Sequence, residues 1–352
     1  IFTFLQKSDI LTEVQKLHER DKEGEKLIRY LEEKQLFQLD TANTTYVIGL
    51  TKEGYVGHVY YGDRLFGDAV GTLLRTSEPP FTPSENLREK SAFLDFFPME
   101  YPTGGIGDYR ESCLDVRNEA GSKASEIFYS SHTITKGKPS LLGLPASFGT
   151  EDEVSTLVIT CKDPVLGLSV ELMYSVFEKE DVITRSARLI NHSDASVTLE
   201  RCLSAQLDLT EDYSVITHFS GAWAREMHRE QISLRSGKFI NASYTGTSSN
   251  RSNPFMILGH KNTCETFGSC IGCNLIYSGN HYEALEKDSY GKLRFVSGIN
   301  PQSFSRELTP ETHFDTPEAV LSYSSNGYGG LSRQLHSFIR EHIVRGVWKR
   351  RP

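Results

Sequence analysis

The chain has 352 residues, of which 38% are hydrophobic, and its formal net charge is −8. A chain of this length can bury a large core, either in one big domain or in two packed ones. The acidic balance argues against a nucleic-acid partner and against an anionic membrane surface, because both select patches of Lys and Arg. No stretch approaches the roughly 20 consecutive apolar residues that a membrane-spanning helix needs.

Residues 1–36 have a pattern of their own. Apolar residues recur at helical spacing between charged ones, and Gly24 separates two such groups. The members of these groups are Ile10, Leu11, Val14, Leu17, Leu27, Ile28 and Leu31. The spacing predicts a helical amino-terminal extension, built as two helices or as one broken helix, with Ser8 or Asp9 as its N-cap.

From residue 37 the hydrophobic period becomes two. Residues 45–50 and 55–61 are rich in β-forming side chains and flank a turn at Gly54, which predicts a hairpin. The following residues, 63–111, are rich in Pro and Gly. A loop of this length inside a compact domain usually has a role in function or assembly.

Residues 112–210 carry the clearest strand signal. In residues 168–176 apolar and polar side chains alternate, and similar runs follow at 182–190 and 197–203. We interpret the three runs as a meander with one buried face. Further strands are predicted at 255–258, 271–277, 293–296 and 319–323. The fold class is therefore mainly all-β, a large antiparallel sandwich over residues 37–328.

Residues 329–352 are predicted to form a helix and a linker. One apolar stripe at helical spacing contains Leu331, Leu335, Phe338, Ile339 and Ile343. Gly346 follows at the position where a glycine often ends a helix.

Six cysteines are too few for a disulfide scaffold, and they favour the reducing cytoplasm. Cys270 and Cys273 form a CxxC pair without a second ligand pair nearby. We interpret them as strand residues that point to opposite faces, and a metal or redox role is the alternative. The eleven histidines show no spacing typical of a metal site, so we predict neither a metal nor another cofactor.

Seven sequence blocks carry a resemblance to a known family. They are residues 43–62 (NTTYVIGLTKEGYVGHVYYG), 136–145 (KGKPSLLGLP), 178–188 (EKEDVITRSAR), 220–226 (SGAWARE), 277–280 (YSGN), 297–301 (SGINP) and 314–318 (FDTPE). In the same order, these blocks resemble the amino-terminal part of bacterial α-galactosidases of glycoside hydrolase family 36. The resemblance extends over roughly residues 37–348, which is nearly the whole chain.

The resemblance implies an enzyme of three parts, in which an amino-terminal β-supersandwich precedes a (β/α)8 barrel and a small β domain. Such enzymes hydrolyse terminal α-galactosyl residues of melibiose and raffinose with retention of configuration, and many are cytoplasmic homotetramers. The chain is accordingly predicted to be the β-supersandwich, a fragment that supports the barrel and the oligomer. Its implied partners are α-galactoside sugars, its own missing barrel and further copies of itself.

The resemblance places the catalytic groups outside this chain. A retaining glycosidase needs two carboxyl groups about 5–5.5 Å apart, and in the family both are aspartates of the barrel. The barrel segments Asp-Asp-Gly-Trp and Lys-Trp-Asp do not occur in this sequence. We predict no catalytic residue here, and an isolated chain without activity.

Three residues are candidates for sugar binding. In the family, a loop after the first hairpin brings an Asp and an Arg to the sugar pocket of a neighbouring subunit. The Arg position falls on Lys90, with Arg88 two residues away, whereas the Asp position falls near Leu74 and is not matched. A lysine lacks the planar fork of arginine, and solvent-facing loop charge is the alternative. Trp223 can stack on a sugar face, or serve as core or interface packing.

Two other functions stay open at the level of sequence. A stand-alone carbohydrate-binding module would need no carboxylate pair. An epimerase of the mutarotase type, which also uses a β-supersandwich, would need a His and a Glu that face each other in the concavity of a sheet.

Overall fold

A computed structural model of the chain describes residues 26–66, 74 and 93–350. Twenty strands lie in these residues, and one α-helix, α1 (Gly327–Phe338), follows them. The strands are β1 (Ile28–Leu31), β2 (Leu36–Asp40), β3 (Thr44–Leu50), β4 (Val56–Asp63), β5 (Leu114–Arg117), β6 (Phe128–Lys136), β7 (Val154–Asp163), β8 (Leu168–Phe177), β9 (Val182–Asn191), β10 (Val197–Leu209), β11 (Val215–Ala222), β12 (Arg225–Ser233), β13 (Gly237–Ala242), β14 (Ser252–Gly259), β15 (Cys270–Ile276), β16 (His281–Lys287), β17 (Leu293–Ile299), β18 (Arg306–Leu308), β19 (His313–Asp315) and β20 (Glu318–Ser324).

The described strands form three antiparallel sheets. The first has four strands in the order β1-β2-β3-β4. The second has six, in the order β13-β16-β17-β10-β18, with β5 also paired to β10. The third has ten, in the order β12-β11-β14-β15-β20-β9-β8-β7-β6, with β19 paired to β9. The prediction of a mainly antiparallel all-β fold is confirmed.

The two larger sheets pack face to face around one continuous core. Leu207 and Phe295 from the six-stranded sheet share this core with Leu172 and Leu321 from the ten-stranded sheet. The apolar side chains predicted to share one face of β8 lie together in this cluster, namely Leu168, Val170, Leu172, Tyr174 and Val176. Most of the other face of β8 is buried as well, so the prediction of a single buried face is wrong. Burial of this continuous surface is the main source of stability for the sandwich.

The predicted meander is wrong at its third strand. The first two strands pair as predicted, β8 with β9. The next strand, β10, crosses to the six-stranded sheet and pairs with β17, β5 and β18. The second neighbour of β9 is β20, from the end of the chain. Since β9 is buried on both faces, its pairing partners are selected by long-range packing.

The helix predicted within residues 27–36 is also wrong. Residues of this segment form β1 and a 3₁₀ turn (Glu32–Lys34), and β1 pairs with β2. The side chain of Ile28 is buried, and Tyr30 stacks on Phe37 with ring centroids 4.6 Å apart. The three apolar residues Leu27, Ile28 and Leu31 form a run too short to distinguish the period of a helix from that of a strand. Packing of this segment against the sheet favours the strand. Residues 1–25, which carry the rest of the predicted extension, lie outside the described residues.

The carboxy-terminal helix is confirmed as an amphipathic element. Leu331 packs on Ile257 and Cys270, and Phe338 packs on Val320, so the helix covers the outer face of the ten-stranded sheet. Cys273 lies in the central core on the opposite face of β15, which confirms the interpretation of the CxxC pair as strand residues.

Both ends of this helix are defined by backbone geometry. The helix begins at Gly327, whose φ of +67 is a backbone conformation that favours glycine. A side chain at this position would also collide with the carbonyl oxygen of Cys264. A π-helical turn (Ile339–Ile343) ends it, and Val344 is already extended. The helix thus ends before Gly346, which begins a 3₁₀ turn, so the predicted role of Gly346 is wrong. Within the described residues, no helix has both the length and the apolar character to cross a bilayer.

Candidate functional site

The predicted sugar-binding residues have different outcomes. Lys90 and Arg88 lie outside the described residues. Trp223 lies in the turn that joins β11 to β12, and 89% of its surface is exposed. Core packing is therefore excluded for Trp223, and contact with a ligand or with another protein surface remains.

The turn that carries Trp223 has a specific backbone. A side chain on Gly221 would collide with the carbonyl oxygen of Arg225, so glycine is required there. Ala224 adopts φ +60, which is uncommon for a residue with a Cβ atom. Its N–H donates to Oε1 of Glu226 at 2.9 Å. Unfavourable backbone angles of this kind persist where the surroundings impose them, often at sites that bind.

Two adjoining concavities lie beside this hairpin, with volumes of about 330 and 420 Å³. They share Ser220 and Arg251 in their walls, and we name them together the hairpin groove. The smaller concavity is lined by residues of the hairpin and one following loop, namely Ser220, Gly221, Ala222, Arg225, His228, Glu230 and Arg251. The larger one adds β13 and residues 243–252, with Asn241, Ser243, Tyr244 and Thr245 among its lining residues.

The charged groups of the hairpin groove differ in how they are held. Glu230 accepts a hydrogen bond from Oγ of Ser220 at 3.0 Å and lies 3.3 Å from Nε2 of His218. The guanidinium groups of Arg225 and Arg251 form no ion pair with any residue that the structure describes. The groove therefore presents to solvent one fixed acceptor and two guanidinium groups that have no ion-pair partner in the described part of the chain. Sequence reasoning did not single out Glu230 or Arg251, because only the pairing of β11 with both β12 and β14 brings them together.

A buried ionic network joins the three sheets behind the surface. Nη1 of Arg185 lies 3.0 Å from Oε1 of Glu100, and Tyr46 and Tyr174 donate to the same carboxylate oxygen. Burial alone would raise the pKa of Glu100, but the charge of Arg185 and the hydrogen bond from His58 outweigh it, so the pKa lies below its ordinary value. No solvent reaches Glu100, so we assign the network a structural role.

A second network fixes the described end of the long loop. Arg110 donates to the carbonyl oxygens of Leu94 and Phe97 at 2.9 and 2.8 Å. Its neighbour Asp108 lies 2.7 Å from Nη1 of Arg294, which is buried in β17. Residues 93–113 contain no strand or helix, as the sequence predicts for this part of the loop. The loop is thus anchored on the six-stranded sheet where its described part begins.

Two His–Glu pairs of the described residues lack the open space that an epimerase site would need. His281 and Glu283 lie side by side on the inner face of β16, and both are fully buried. Burial lowers the pKa of His281 to about 4 and raises the pKa of Glu283 well above its ordinary value. His218 and Glu230 contact each other directly and leave no space between them for a sugar. Among the residues that the structure describes, no group of three or more His, Cys, Asp and Glu side chains forms a metal site.

An apolar groove runs between α1 and the uncovered part of the ten-stranded sheet, and we name it the helix groove. Its volume is about 650 Å³. Phe219 and Phe255 stack on its floor with centroids 5.6 Å apart, and Met227 and Ile339 on its rim are 58% and 43% exposed. An exposed apolar concavity of this size is typical of a contact surface.

The family follows from sequence comparison. A family model of the glycosyl hydrolase family 36 N-terminal domain matches residues 54–309. The chain belongs to this family. It is 37% identical over 323 residues to the bifunctional alpha-galactosidase/sucrose kinase AgaSK of Mediterraneibacter gnavus, covering 91% of this chain and 34% of that protein. It is 37% identical over 326 residues to the alpha-galactosidase AgaA of Geobacillus stearothermophilus, covering 92% of this chain and 45% of that protein.

The solved structures agree with the sequence relatives. A crystal structure of an AgaA variant of Geobacillus stearothermophilus in complex with raffinose superposes with a TM-score of 0.85 at 37% identity. The superposition covers 89% of this chain and 44% of that one. The family 36 domain thus spans less than half the length of the relatives that it matches.

Proposed function

We propose that this chain is the non-catalytic amino-terminal domain of an α-galactosidase that releases terminal α-D-galactosyl residues from melibiose and raffinose with retention. The observation that carries the proposal is the alignment of 92% of this chain with only 45% of AgaA. A retaining mechanism needs two carboxyl groups about 5–5.5 Å apart across the scissile bond. In this proposal the remaining part of the enzyme, a (β/α)8 barrel, supplies both.

The proposal has a direct test with a chromogenic substrate. We expect the 352-residue chain to be inactive on nitrophenyl α-galactoside, and the polypeptide continued by the rest of its reading frame to be active. The control is a set of substitutions at acidic residues of the chain itself. Hydrolysis by the isolated chain, abolished by one such substitution, would contradict the proposal.

The helix groove supports a structural role for the domain. We infer that the catalytic barrel of the same polypeptide covers it, because the relatives are more than twice as long as the region that they share with this chain. The groove is bounded by α1, and its floor is apolar. Apolar surface removed from water contributes about 25 cal/mol per Å², so a contact here would stabilise the assembled enzyme.

The barrel contact is testable with a charged substitution. Ile339→Asp places a carboxylate on the rim of the helix groove, and in the continued polypeptide we expect a lower melting temperature and lost activity. The isolated chain should keep its own melting temperature, since Ile339 is 43% exposed there. Leu142→Asp, at a residue that is 80% exposed, is the matched control. If both variants changed the melting temperature and activity of the continued polypeptide equally, the helix groove would not be part of the contact with the barrel.

The proposal also includes the cellular location, the oligomeric state and the residues that contact the sugar. All six cysteines are free and five are buried, which fits a cytoplasmic protein. We propose a homotetramer in which Lys90 and Arg88 reach the sugar pocket of a neighbouring subunit. Lys90→Ala should then raise KM for raffinose in the continued polypeptide with little change in kcat. Sedimentation of that polypeptide tests the tetramer.

A further inference from the structure

The ten-stranded sheet ends on one side at β12 and on the other side at β6. Each of these edge strands has nine residues, and each pairs with only one strand among the described residues. The open side of an edge strand carries backbone N–H and C=O groups that can pair with another chain. The two edges differ in how strongly their sequences oppose such pairing.

The edge at β12 is protected against pairing. Charged residues occupy 225, 226, 229 and 230, and Met227 between them has a left-handed backbone with φ +57. The register of β12 with β11 also shifts beside Met227. If two copies paired antiparallel about a two-fold axis centred on any of residues 227–230, like charges would lie directly opposite each other, which is unfavourable. Charge and irregular backbone are the usual protection of an edge strand.

The edge at β6 lacks this protection. Residues 130–135, Ser-Ser-His-Thr-Ile-Thr, contain no Asp, Glu, Lys or Arg. Partial burial lowers the pKa of His132 below its ordinary value, so this run is uncharged at neutral pH. Residues 131–136 pair with β7 in unbroken register, and most of their side chains are exposed. The turn at Gly54 covers only the beginning of the strand, where the N–H of Tyr129 donates to the carbonyl oxygen of Gly54 at 2.7 Å.

A strand that can pair with itself suits a symmetric contact between identical chains. We propose that the outer edge of β6 pairs antiparallel with the same edge of a second copy of this chain, about a two-fold axis at Thr133. In this register Ser131 lies opposite Thr135, and His132 lies opposite Ile134. No charges meet, and hydroxyl and β-branched side chains pair favourably across strands. A two-fold contact requires a surface that is complementary to itself, and β6 meets this condition where the middle of β12 does not.

An apolar concavity of about 270 Å³ lies beside this edge. It is lined by Ile28, Tyr30 and Leu31 of β1 together with Ile134, which is 41% exposed. The ring of Tyr30 packs on His132 with centroids 4.5 Å apart, and residues 132 and 134 of a strand share one face. In the proposed register, Ile134 of each copy lies opposite His132 of the other, at the margin of this concavity. The contact therefore buries apolar surface in addition to pairing the backbones.

The size of the contact sets its expected strength. A standard specific interface buries about 1,600 Å², and pairing along one short strand covers less. We therefore expect a dimer that dissociates in the micromolar range. This contact can supply one two-fold interface of the proposed homotetramer, and only in that respect does it rest on the proposed function. Dimerisation of the 352-residue chain requires no activity.

Sedimentation equilibrium of the 352-residue chain tests the contact with a charge swap. The wild type should change from monomer to dimer as its concentration rises. Thr133→Lys and Thr133→Glu should each remain monomeric, because the introduced charge would lie opposite its own copy. An equimolar mixture of the two variants should dimerise again, since a positive charge then faces a negative one. Thr133 is exposed, so neither substitution disturbs the core.

A matched control lies on the other edge of the same sheet. Ser233→Lys adds the same charge at an exposed residue of β12 and should dimerise as the wild type does. Hydrogen exchange locates the contact: the amides of residues 131–135 should exchange more slowly at high than at low concentration of the wild type. In Thr133→Lys their exchange should not depend on concentration. Circular dichroism confirms that each variant is folded.

Three outcomes would overturn the inference: a wild type that is monomeric at every concentration, undiminished dimerisation of Thr133→Lys, or a mixture of the two charged variants that stays monomeric. It would also fail if Thr133→Lys destabilised only the continued polypeptide, because the barrel would then cover β6. Hydrolysis by the continued polypeptide tests the proposed function separately. An active enzyme whose isolated chain never dimerises would retain that function and remove the β6 contact, and an inactive polypeptide with a charge-sensitive dimer would do the reverse.

Discussion

Glu283 is a carboxyl group in an environment made for a neutral side chain. It is fully buried on β16, where one oxygen accepts from Nδ2 of Asn241 at 2.8 Å and the other has no hydrogen-bond partner among the residues that the structure describes. Burial raises its pKa well above the ordinary value. The folded state therefore favours the protonated form. Stability from this residue is complete below the unfolded pKa of about 4.3, and it is lost as the pH rises toward the folded pKa.

The Glu283→Gln variant should be stabilised in alkaline solution. A neutral amide keeps the bond to Asn241 and removes the proton equilibrium, so the gain in melting temperature over wild type should be larger at pH 8 than at pH 5. A gain of about 1 kcal/mol corresponds to roughly 2–4 °C. Thermal melts of both proteins at the two pH values measure it. The difference between the proteins cancels the titration of His281, which both contain. An identical gain at pH 5 and pH 8 would be at odds with a buried acid.

Arg185 is the charged residue on which the buried network depends. The side chain of Arg185, which lies on β9, is 2% exposed and contacts the carboxylate of Glu100. Arg185→Met should lower the free energy of unfolding by about 3–5 kcal/mol, because it leaves the carboxylate of Glu100 buried and uncompensated. Urea unfolding measures this loss.

The same network supplies its own control. Adding Glu100→Gln to Arg185→Met should return part of the lost stability, since the unpaired charge is then gone. Arg117→Met breaks a partly exposed pair with Glu200 and should cost less than about 1 kcal/mol. A similar loss of unfolding free energy in Arg185→Met and Arg117→Met would show that the buried pair contributes no more to stability than the partly exposed one.

At the scale of elements, the turn between β8 and β9 links three parts of the molecule through Asp181. Its carboxylate accepts from Oγ1 of Thr41 and from both N–H donors of Asn43, each at 2.8 Å, and from Nε2 of Gln334 at 3.2 Å. The four-stranded sheet, the ten-stranded sheet and α1 thus share one anchoring group.

Asp181→Asn should loosen this anchor without changing the backbone, because asparagine also tolerates the observed φ of 53. The variant replaces a carboxylate oxygen, which accepts hydrogen bonds, by an amide group that donates them. We therefore expect the free energy of unfolding to fall by about 1–3 kcal/mol. Hydrogen exchange of the amides of residues 41–44 should speed up more than exchange in β16. Asp152→Asn, in an exposed turn, is the matched control and should leave both unchanged.

Nine of the twenty described strands were predicted, namely β3, β4, β8, β9, β10, β14, β15, β17 and β20, because the alternation that marks a strand is local. The pairing of β8 with β9 was predicted, but long-range pairing was not, since β9 meets β20 only through the closure of the whole sheet. The short run at Ile28 fits two periods, and its burial against the core decides for a strand. The site shows the same division. Trp223 was recognisable by its residue type, whereas Arg251 joins it only because β11 pairs with β14.

At the scale of the whole molecule, the buried side chains form one main cluster with contributions from all three described sheets. Tyr46 comes from the four-stranded sheet, Phe295 from the six-stranded sheet and Leu172 from the ten-stranded sheet. Unfolding of any one sheet would therefore expose core side chains of the other two to solvent. The predicted β-supersandwich, residues 37–328, should therefore unfold as one cooperative unit together with β1, whose Ile28 also lies in this cluster.

Calorimetry of the 352-residue chain should accordingly show a single thermal transition. Its enthalpy should be on the order of 200 kcal/mol, from about 0.7 kcal/mol per residue, and should agree with the van't Hoff value. Near-ultraviolet circular dichroism, which reports buried tyrosines of all three sheets, should follow the same curve. Arg185→Met should shift this transition to lower temperature as one peak, because the network touches every sheet. Two peaks, of which Arg185→Met moves only one, would instead divide the sandwich into separately folding halves.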